Sequence, residues 1–537
     1  MTTAIAVLAC LAALAALLGR LHLLLHVLQQ EHYENARLTR WVAGDRARLG
    51  LATAAAVVVA GAIVSAAQSA GDAAGLAVAV VALAGALVLC VRAWRRPQIK
   101  PLVFTARARR LLTVAVALNA VPLVLVTVFV PAGVAALVAG VLGGVGYVAA
   151  PWTLGAANRL LAPLQRMETQ RYVRSATERL ARVAPVVVGI TGSYGKTTTK
   201  ACVDAVLSTA GPSYPTPASF NSYLGVVRAI NEGLSTEDQF FVVEMGAYRE
   251  GDVAELCDLV QPKIGVLTAI GPAHLERFGS LDVTERAKGE LAEALPEDGL
   301  FVTRADDERT RRVAAARTRS RVVLFSPMPH PDADVWADDV RIADGRMEFR
   351  LLTRGAGPDD APLVRARLLG EHNIANLLAA AAVGFDVGLT PPQIARALSQ
   401  VRPPDHRLAP IVNAAAGVIV IDDSYNANPI GAAAALEVLR AHPAKRRILV
   451  TPGMVELGSE EDAANRRLGV LAARACDYCI LSGSRAQAIR EGLLSAGFPE
   501  QQIVMTSDGP TAHAKVAEMT RRGDVILFEN DLPDVYA

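Results

Sequence analysis

The sequence predicts an N-terminal α-helical membrane domain followed by two α/β domains built on parallel sheets. Three observations predict it. Five apolar runs fill the first 152 residues, short β-branched runs alternate with helical patterns from Val186 onward, and the Pro-rich Val401–Pro410 separates a second such alternation from the first. A chain of 537 residues needs several units, because single cores rarely grow past ~250–300 residues. The expected division is a membrane domain at 1–152, a basic helical linker at 153–183, a central domain at 184–408 and a C-terminal domain at 409–537.

The apolar runs Thr3–Leu28, Leu49–Ala67, Ala73–Val91, Leu111–Val130 and Ala132–Trp152 have about the ~20 residues that span a bilayer. The first lacks the basic start of a signal peptide and continues into Arg20, His22 and His26. Arg37, Arg40, Arg46 and Arg48 follow the first run, and Arg92, Arg95, Arg96, Lys100, Arg107, Arg109 and Arg110 separate the third from the fourth. The other links carry neither lysine nor arginine, so the positive-inside rule puts the N-terminus outside and the chain beyond Trp152 in the cytoplasm of a bacterial-type plasma membrane. Membrane lipid is thus an expected partner. A net charge of only +2 argues against nucleic acid. The lone pair Cys476 and Cys479 reads as buried, inert thiols, since a zinc ribbon needs a second pair.

In the soluble part, Phe240–Glu244, Ile264–Ala269, Leu300–Thr303 and Val322–Phe325 read as strands of the central sheet, with an inserted hairpin over Asp339–Thr353 turning at Asp344-Gly345. Gly417–Asp422, Arg447–Thr451, Tyr478–Ser482 and Val525–Phe528 read as strands of a second, Rossmann-like unit. Val186–Lys200, VVVGITGSYGKTTTK, passes from strand to glycine loop to helix start. Such a loop directs backbone N–H groups at phosphates, so Gly192, Ser193, Gly195, Lys196, Thr197 and Thr198 are candidate ATP contacts. Lys196 would reach the terminal phosphates and the Thr197 hydroxyl would hold Mg²⁺. The spacing is shorter than that of an ordinary P-loop. Glu244 ends an apolar strand and His274 follows another, where ligands of a divalent ion belong at the carboxyl edge of a sheet.

Six segments in order, GSYGKTTTK at Gly192–Lys200, VVEMGAYREGD at Val242–Asp252, IGPAHLERFGS with RAKGE from Ile270 to Glu290, GEHNIANLLAA at Gly370–Ala380, DDSYNANP at Asp422–Pro429 and GMVELG at Gly453–Gly458, resemble the Mur ligases, closest to the type that adds D-alanyl-D-alanine. The resemblance covers roughly residues 180–530 and implies an ATP-dependent carboxylate–amine ligase of cell-wall synthesis, acting through an acyl phosphate with two Mg²⁺ ions. It implies that Lys196, Glu244, His274 and Lys288 are catalytic, and that Thr197, Glu244, His274 and Lys288 hold metal, Lys288 as a carbamate. Without the family pattern Lys288 reads as a surface lysine on an acidic helix. The resemblance also assigns Asn373, Asn376, Arg407 and Asp423 to the nucleotide, and Ser219, Asn221, Asn426 and Asn428 to substrate. The implied partners are a carboxylate substrate and an amine, either an amino acid or a dipeptide.

Two departures bear on substrate. Apolar runs stand where UDP-sugar ligases of the family carry a soluble domain, and Ser219–Ser222 and the ending FENDLPDVYA differ from the GNxNN and KGS of the D-alanyl-D-alanine type. A lipid-linked or polyglutamate-type acceptor therefore stands beside the ordinary one. A transporter driven by a P-loop ATPase leaves EMG, AHLE and DDSYNANP unexplained. An inactive nucleotide-binding scaffold is opposed by Lys196, Glu244, His274 and Lys288. The charge asymmetry makes a direct prediction: a reporter fused after Trp152 should read cytoplasmic and one inserted in Gln68–Asp72 external, and reversed signals would refute the orientation.

Overall fold

The computed structural model describes residues 2–31, 33–95, 101–273, 275–343, 346–355, 357 and 361–530. Arg96, Lys100, His274, Asp344, Gly345 and the last seven residues, named above, lie outside them. The described chain divides into one unit comprising residues 1–170 and a second comprising 171–532.

The first unit is helical. Helices α1 (Thr2–Gln30), α2 (Asn35–Ala43), α3 (Leu51–Ala70), α4 (Asp72–Trp94), α5 (Ala106–Phe129) and α6 (Ala132–Val183) follow in order. All but α2 are long and apolar enough to cross a membrane. Val59, Val81, Val128 and Phe129 point outward, as side chains facing lipid would. Helix α1 is the most enclosed, burying Ile5, Leu17, Leu21 and Leu25 together with Arg20, His22 and His26. Asn119 and Pro122 lie inside α5, where the Asn119 amide donates to the Ala115 carbonyl and the Thr153 hydroxyl. The separate fifth span and linker expected from composition are one continuous helix, α6. Apolar sequence gives way to charged sequence near Trp152, while the helix continues through that change and through Pro151 and Pro163. Its last turns belong to the second unit, where Ala176 joins the core and Arg179 donates to the carbonyls of Asn231 and Leu234.

The second unit contains two sheets. The central one comprises β1 (Val186–Thr191), β2 (Ser213–Pro215), β3 (Phe240–Glu244), β4 (Ile264–Leu267), β5 (Leu300–Arg304), β6 (Arg321–Ser326), β7 (Val335–Ala343), β8 (Arg346–Thr353) and β9 (Leu363–Ala366). Its order is β2-β3-β1-β4-β5-β6-β7-β8-β9. Pairing is parallel as far as β7 and antiparallel across β7-β8-β9, so the expected hairpin is present on either side of its turn. β1 is nearly all β-branched and lies between β3 and β4, which explains why its apolar run is continuous: a central parallel strand is buried on both faces. One face is covered by helix α7 (Lys196–Leu207) and the alanine-rich His372–Asp386, through Val203, Val206, Leu377 and Leu378. The other buries Phe241, Val243, Met245 and Leu291.

The C-terminal sheet comprises β10 (Ala409–Asn413), β11 (Val418–Asp423), β12 (Arg446–Thr451), β13 (Tyr478–Ser482), β14 (Ile503–Thr506) and β15 (Asp524–Glu529), ordered β10-β11-β15-β12-β13-β14. Only β10 is antiparallel. β15 returns between β11 and β12, which places the carboxyl end of the last strand beside Asp423. The edge strands β10 and β14 and the short β2 and β9 were not expected from sequence. Cys476 and Cys479 are buried as expected, their Sγ atoms 3.3 Å apart.

Candidate active site

The site forms at the carboxyl edge of the central sheet, where β1 and β3 end side by side. The chain leaves β1 through Gly192 and Gly195, both at positive φ, and enters α7 at Lys196. Gly195 has φ 78°, and a Cβ there would come within 2.4 Å of the Asn376 Oδ1 atom, so a side chain is excluded both by conformation and by space. Ser193 fixes the loop to the end of β4: its hydroxyl donates to the Gly271 carbonyl at 3.0 Å and its N–H to the Ala269 carbonyl at 2.8 Å. The Lys196 ammonium donates to the Gly192 carbonyl at 2.7 Å, so it folds back over the loop. Burial lowers its pKa, Glu244 opposes that shift, and Arg407 adds to it. Thr197 starts α7 at the loop and Thr198 is buried in its first turn.

Glu244 is 1% exposed. Asn221 donates to its Oε1 at 3.0 Å, the Lys200 ammonium lies 3.2 Å from Oε2, and its own N–H donates to the Thr216 hydroxyl. Burial alone would raise the Glu244 carboxyl, but Lys200, Lys196 and the Asn221 hydrogen bond hold it below its ordinary value, so it is ionised at neutral pH. Lys200 also donates to the Ala218 carbonyl at 2.5 Å, tying α7 to the loop that carries Ser219 and Asn221. Ala218 itself has φ 43°, a left-handed conformation disfavoured for alanine that this hydrogen bond helps to hold. Ser219 is half-buried beside it.

Lys288 is 3% exposed, which excludes the surface-lysine alternative. Its ammonium lies 5.5 Å from the Phe278 ring centroid, and among the described residues it makes no hydrogen bond. Burial pushes its pKa far down, and the Lys196 charge pushes it further. His274, expected beside it, lies outside the described residues.

Asn373 and Asn376 are buried and chained together: Asn373 donates to the Leu369 carbonyl, Asn376 donates to Asn373 Oδ1 at 2.7 Å, and Asn376 Oδ1 accepts from the Thr199 hydroxyl at 3.0 Å. They therefore brace α7 and the glycine loop. At the join of the two sheet domains, Arg407 lies against the Tyr425 ring, its Cζ 4.1 Å from the centroid, and its charge acts on Lys196 and Lys200. Asp423 Oδ1 accepts from the Leu408 N–H at 3.1 Å. Asn426 is half-buried in the loop after β11. Asn428 caps the helix Pro429–Ala441, accepting from the Gly431 N–H at 2.8 Å, so its oxygen is committed to the fold.

The structure thus brings Asn221 onto Glu244 directly, with Lys196, Lys288 and Arg407 close enough to act electrostatically. Sequence reasoning missed Lys200 and Thr216. Lys200 had a signal, since it lies one helical turn beyond Lys196 on the same face of α7. The buried, ionised Glu244 supplies the hard oxygen that Mg²⁺ prefers, and Thr197 supplies a hydroxyl at the loop, so the residues fit that ion.

Two family models match the chain: the Mur ligase middle domain over residues 190–384 and the Mur ligase glutamate ligase domain over 406–529. These matches put the two sheet domains in the class of ATP-dependent ligases that form peptide bonds. The chain belongs to the Mur ligase family. It is 32% identical over 400 residues to a UDP-N-acetylmuramoyl-tripeptide–D-alanyl-D-alanine ligase of Mycobacterium leprae, covering 70% of this chain and 75% of that protein. It is 35% identical over 304 residues to the Escherichia coli ligase of the same name, covering 56% of this chain and 66% of that one. MurF from Acinetobacter baumannii superposes with a TM-score of 0.59 at 28% identity, covering 67% of this chain and 77% of that one. MurF ligase from Thermotoga maritima in complex with ADP gives 0.58 at 26%, covering 67% and 80%.

Removing the Lys200 charge tests the electrostatic reading. Lys200→Met leaves the Glu244 carboxylate buried without its nearest cation, at an expected cost of about 3 kcal/mol. Glu244 has a depressed pKa, so the stability it contributes is present above its unfolded value and lost as pH falls. The melting deficit of Lys200→Met should accordingly be large at pH 7 and shrink toward pH 4. A deficit independent of pH would disprove the pairing.

Proposed function

We propose that this protein is a membrane-anchored ligase of the MurF type, which uses ATP to join the terminal carboxylate of a muramoyl-peptide precursor to the amine of D-alanyl-D-alanine. The observation that carries the reading is that the chain is 32% identical over 400 residues to a ligase of that name, while both sheet domains match Mur ligase family models. In the proposed mechanism the loop Gly192–Thr198 acts as a P-loop. Its N–H groups and the start of α7 hold the phosphates, and Lys196 swings from the Gly192 carbonyl to the terminal phosphate. Thr197 and Glu244, with His274 and a carbamylated Lys288, would hold two Mg²⁺ ions, which supply charge stabilisation for the transferring phosphoryl group. The substrate carboxylate attacks the γ-phosphorus to give an acyl phosphate and ADP. The amine then attacks the acyl carbon: the C–N bond forms, the acyl C–O bond breaks to release phosphate, and the nitrogen gives up a proton to the departing phosphate. Asn221 and Ser219 would face the carboxylate substrate, while Asp423 and Asn426 would face nucleotide and amine as the C-terminal domain closes and excludes water. Asn373 and Asn376 support the loop that holds the nucleotide.

Burial, with no hydrogen-bond partner among the described residues, suits Lys288 to carbamylation, because carbon dioxide reacts with the neutral amine and burial near the Lys196 charge favours loss of the proton. The five apolar helices favour a second reading of the acceptor. They occupy the part of the chain preceding the matched domains, and a lipid-linked precursor would be presented at the membrane they enter, with the ligase domains on its cytoplasmic side.

Offering the detergent-purified full chain UDP-linked or lipid-linked carboxylates, with D-alanyl-D-alanine or single amino acids, and measuring amine-dependent phosphate release and product mass decides among these. No amine-dependent release with any pair would sink the ligase reading. Lys196→Ala should reduce turnover by about 10³-fold or more while the protein stays folded and membrane-inserted. Wild-type turnover in that variant would remove Lys196 from the mechanism. Lys288→Ala should lose activity and recover part of it with an added short-chain carboxylic acid, whereas Glu244→Ala should lose activity without rescue. Full activity of Lys288→Ala would eliminate the carbamate.

A further inference from the structure

Glu529 ends β15 in register with Asp423 at the end of β11. It is fully buried, and no N–H or O–H donor reaches either of its carboxylate oxygens among the described residues. The acid facing it across the two strands is Asp423, and two carboxyl groups side by side away from water cannot both ionise cheaply, so one of them keeps its proton. The neighbouring strand β12 brings no charge to the pair: Val450 stands opposite Phe528, and the next residue is Thr451. Asn530, just beyond, donates to the Gly453 carbonyl. Asp422 is engaged outside the pair, with His406 Nδ1 at 2.8 Å and with the Ser424 hydroxyl. The cation acting on both carboxyls is Arg407, whose charge also reaches Lys196 and Lys200 across the cleft.

We propose that Glu529 is a positioning residue: it shares one proton with Asp423, sets the charge facing Arg407 at a single negative unit, and so sets how strongly Arg407 attracts the nucleotide phosphates. This rests on the ligase reading, which places Arg407 at the nucleotide. With one proton shared, Arg407 and the acid pair sum to zero. Loss of that proton makes the sum negative and repels the phosphates. Burial and the facing carboxyl raise Glu529 well above the usual range, and burial lifts Asp423 to about 6, so the loss falls at or above neutral pH. Nucleotide affinity should therefore fall as pH rises. The sign for stability is the same, because an acid whose pKa is raised on folding contributes less stability as pH climbs from its unfolded value toward its folded one.

Glu529→Gln keeps the shape and fixes the neutral partner. Titration calorimetry of ADP into the full chain in detergent should give equal affinities for wild type and Glu529→Gln at pH 5.5. At pH 8.5 the variant should bind about fivefold tighter. Glu529→Lys should bind more tightly than wild type at both pH values. Without nucleotide, Glu529→Gln should melt higher than wild type at pH 8.5 and alongside it at pH 5.5. Parallel pH curves for wild type and Glu529→Gln, in affinity and in melting, would overturn the proposal. Wild type that binds no ADP at any pH would instead overturn the ligase reading and the link to Arg407, and the melting comparison still decides whether the two acids share a proton.

Discussion

The buried ion pair between Glu244 and Lys200 is the constraint from which the rest of the site follows. A carboxylate taken out of water at the end of a central strand is tolerated only with charge and hydrogen bonds around it, and here three segments converge to supply them. Lys200 comes from α7, Asn221 from the loop after β2, and the Thr216 hydroxyl accepts from the Glu244 backbone at the end of that strand. Because Lys200 and Lys196 share one helix, the same pairing that neutralises the acid fixes the rotation of α7, and with it the aim of the glycine loop. Asn376 then locks α7 from the far side by accepting from Thr199, and leaves no room for a side chain at Gly195. Loop, acid and asparagine pair are one interlocked unit.

The C-terminal domain meets this unit through charge as well as through contact. Arg277 reaches Glu456, and the Glu276 N–H donates to the Glu456 carbonyl, so the two domains touch beside the site. Arg407 faces two lysines of like charge on the central domain, an arrangement that is repulsive until something anionic lies between them. The triphosphate of the proposed substrate is such an anion, so closure and nucleotide occupancy favour each other by simple Coulomb energy.

What the sequence made legible was local. β1, the glycine loop and α7 adjoin in the chain, and a strand-end acid such as Glu244 stands out against four apolar neighbours. What it hid depended on pairing at a distance. Lys200 meets an acid on another strand, and Glu529 meets Asp423 only because β15 returns between β11 and β12, an order that no local pattern encodes. Short edge strands such as β2 and β14 carry too few residues for a period to emerge, and their partners rather than their propensity make them strands. At α6 the sequence misled through composition, because a change from lipid-like to water-like side chains resembles a boundary while the helix continues through it. Lys288 looked exposed because its neighbours are charged; the helix Leu281–Ala294 turns that one lysine inward.

The enclosure of α1 has a consequence for how the protein is made. Helix α1 precedes in the chain the helices that surround it, and α4, α5 and α6 all pack on it. Those helices bury Arg20, His22 and His26, groups that would be costly in a bilayer without protein around them. Arg20 finds its carbonyl acceptor on Arg48, in the segment just after α2, but its aromatic neighbour Tyr147 lies more than a hundred residues downstream. If these helices cross a bilayer, assembly of the bundle is delayed: α1 reaches its final packing only after α6 has been made.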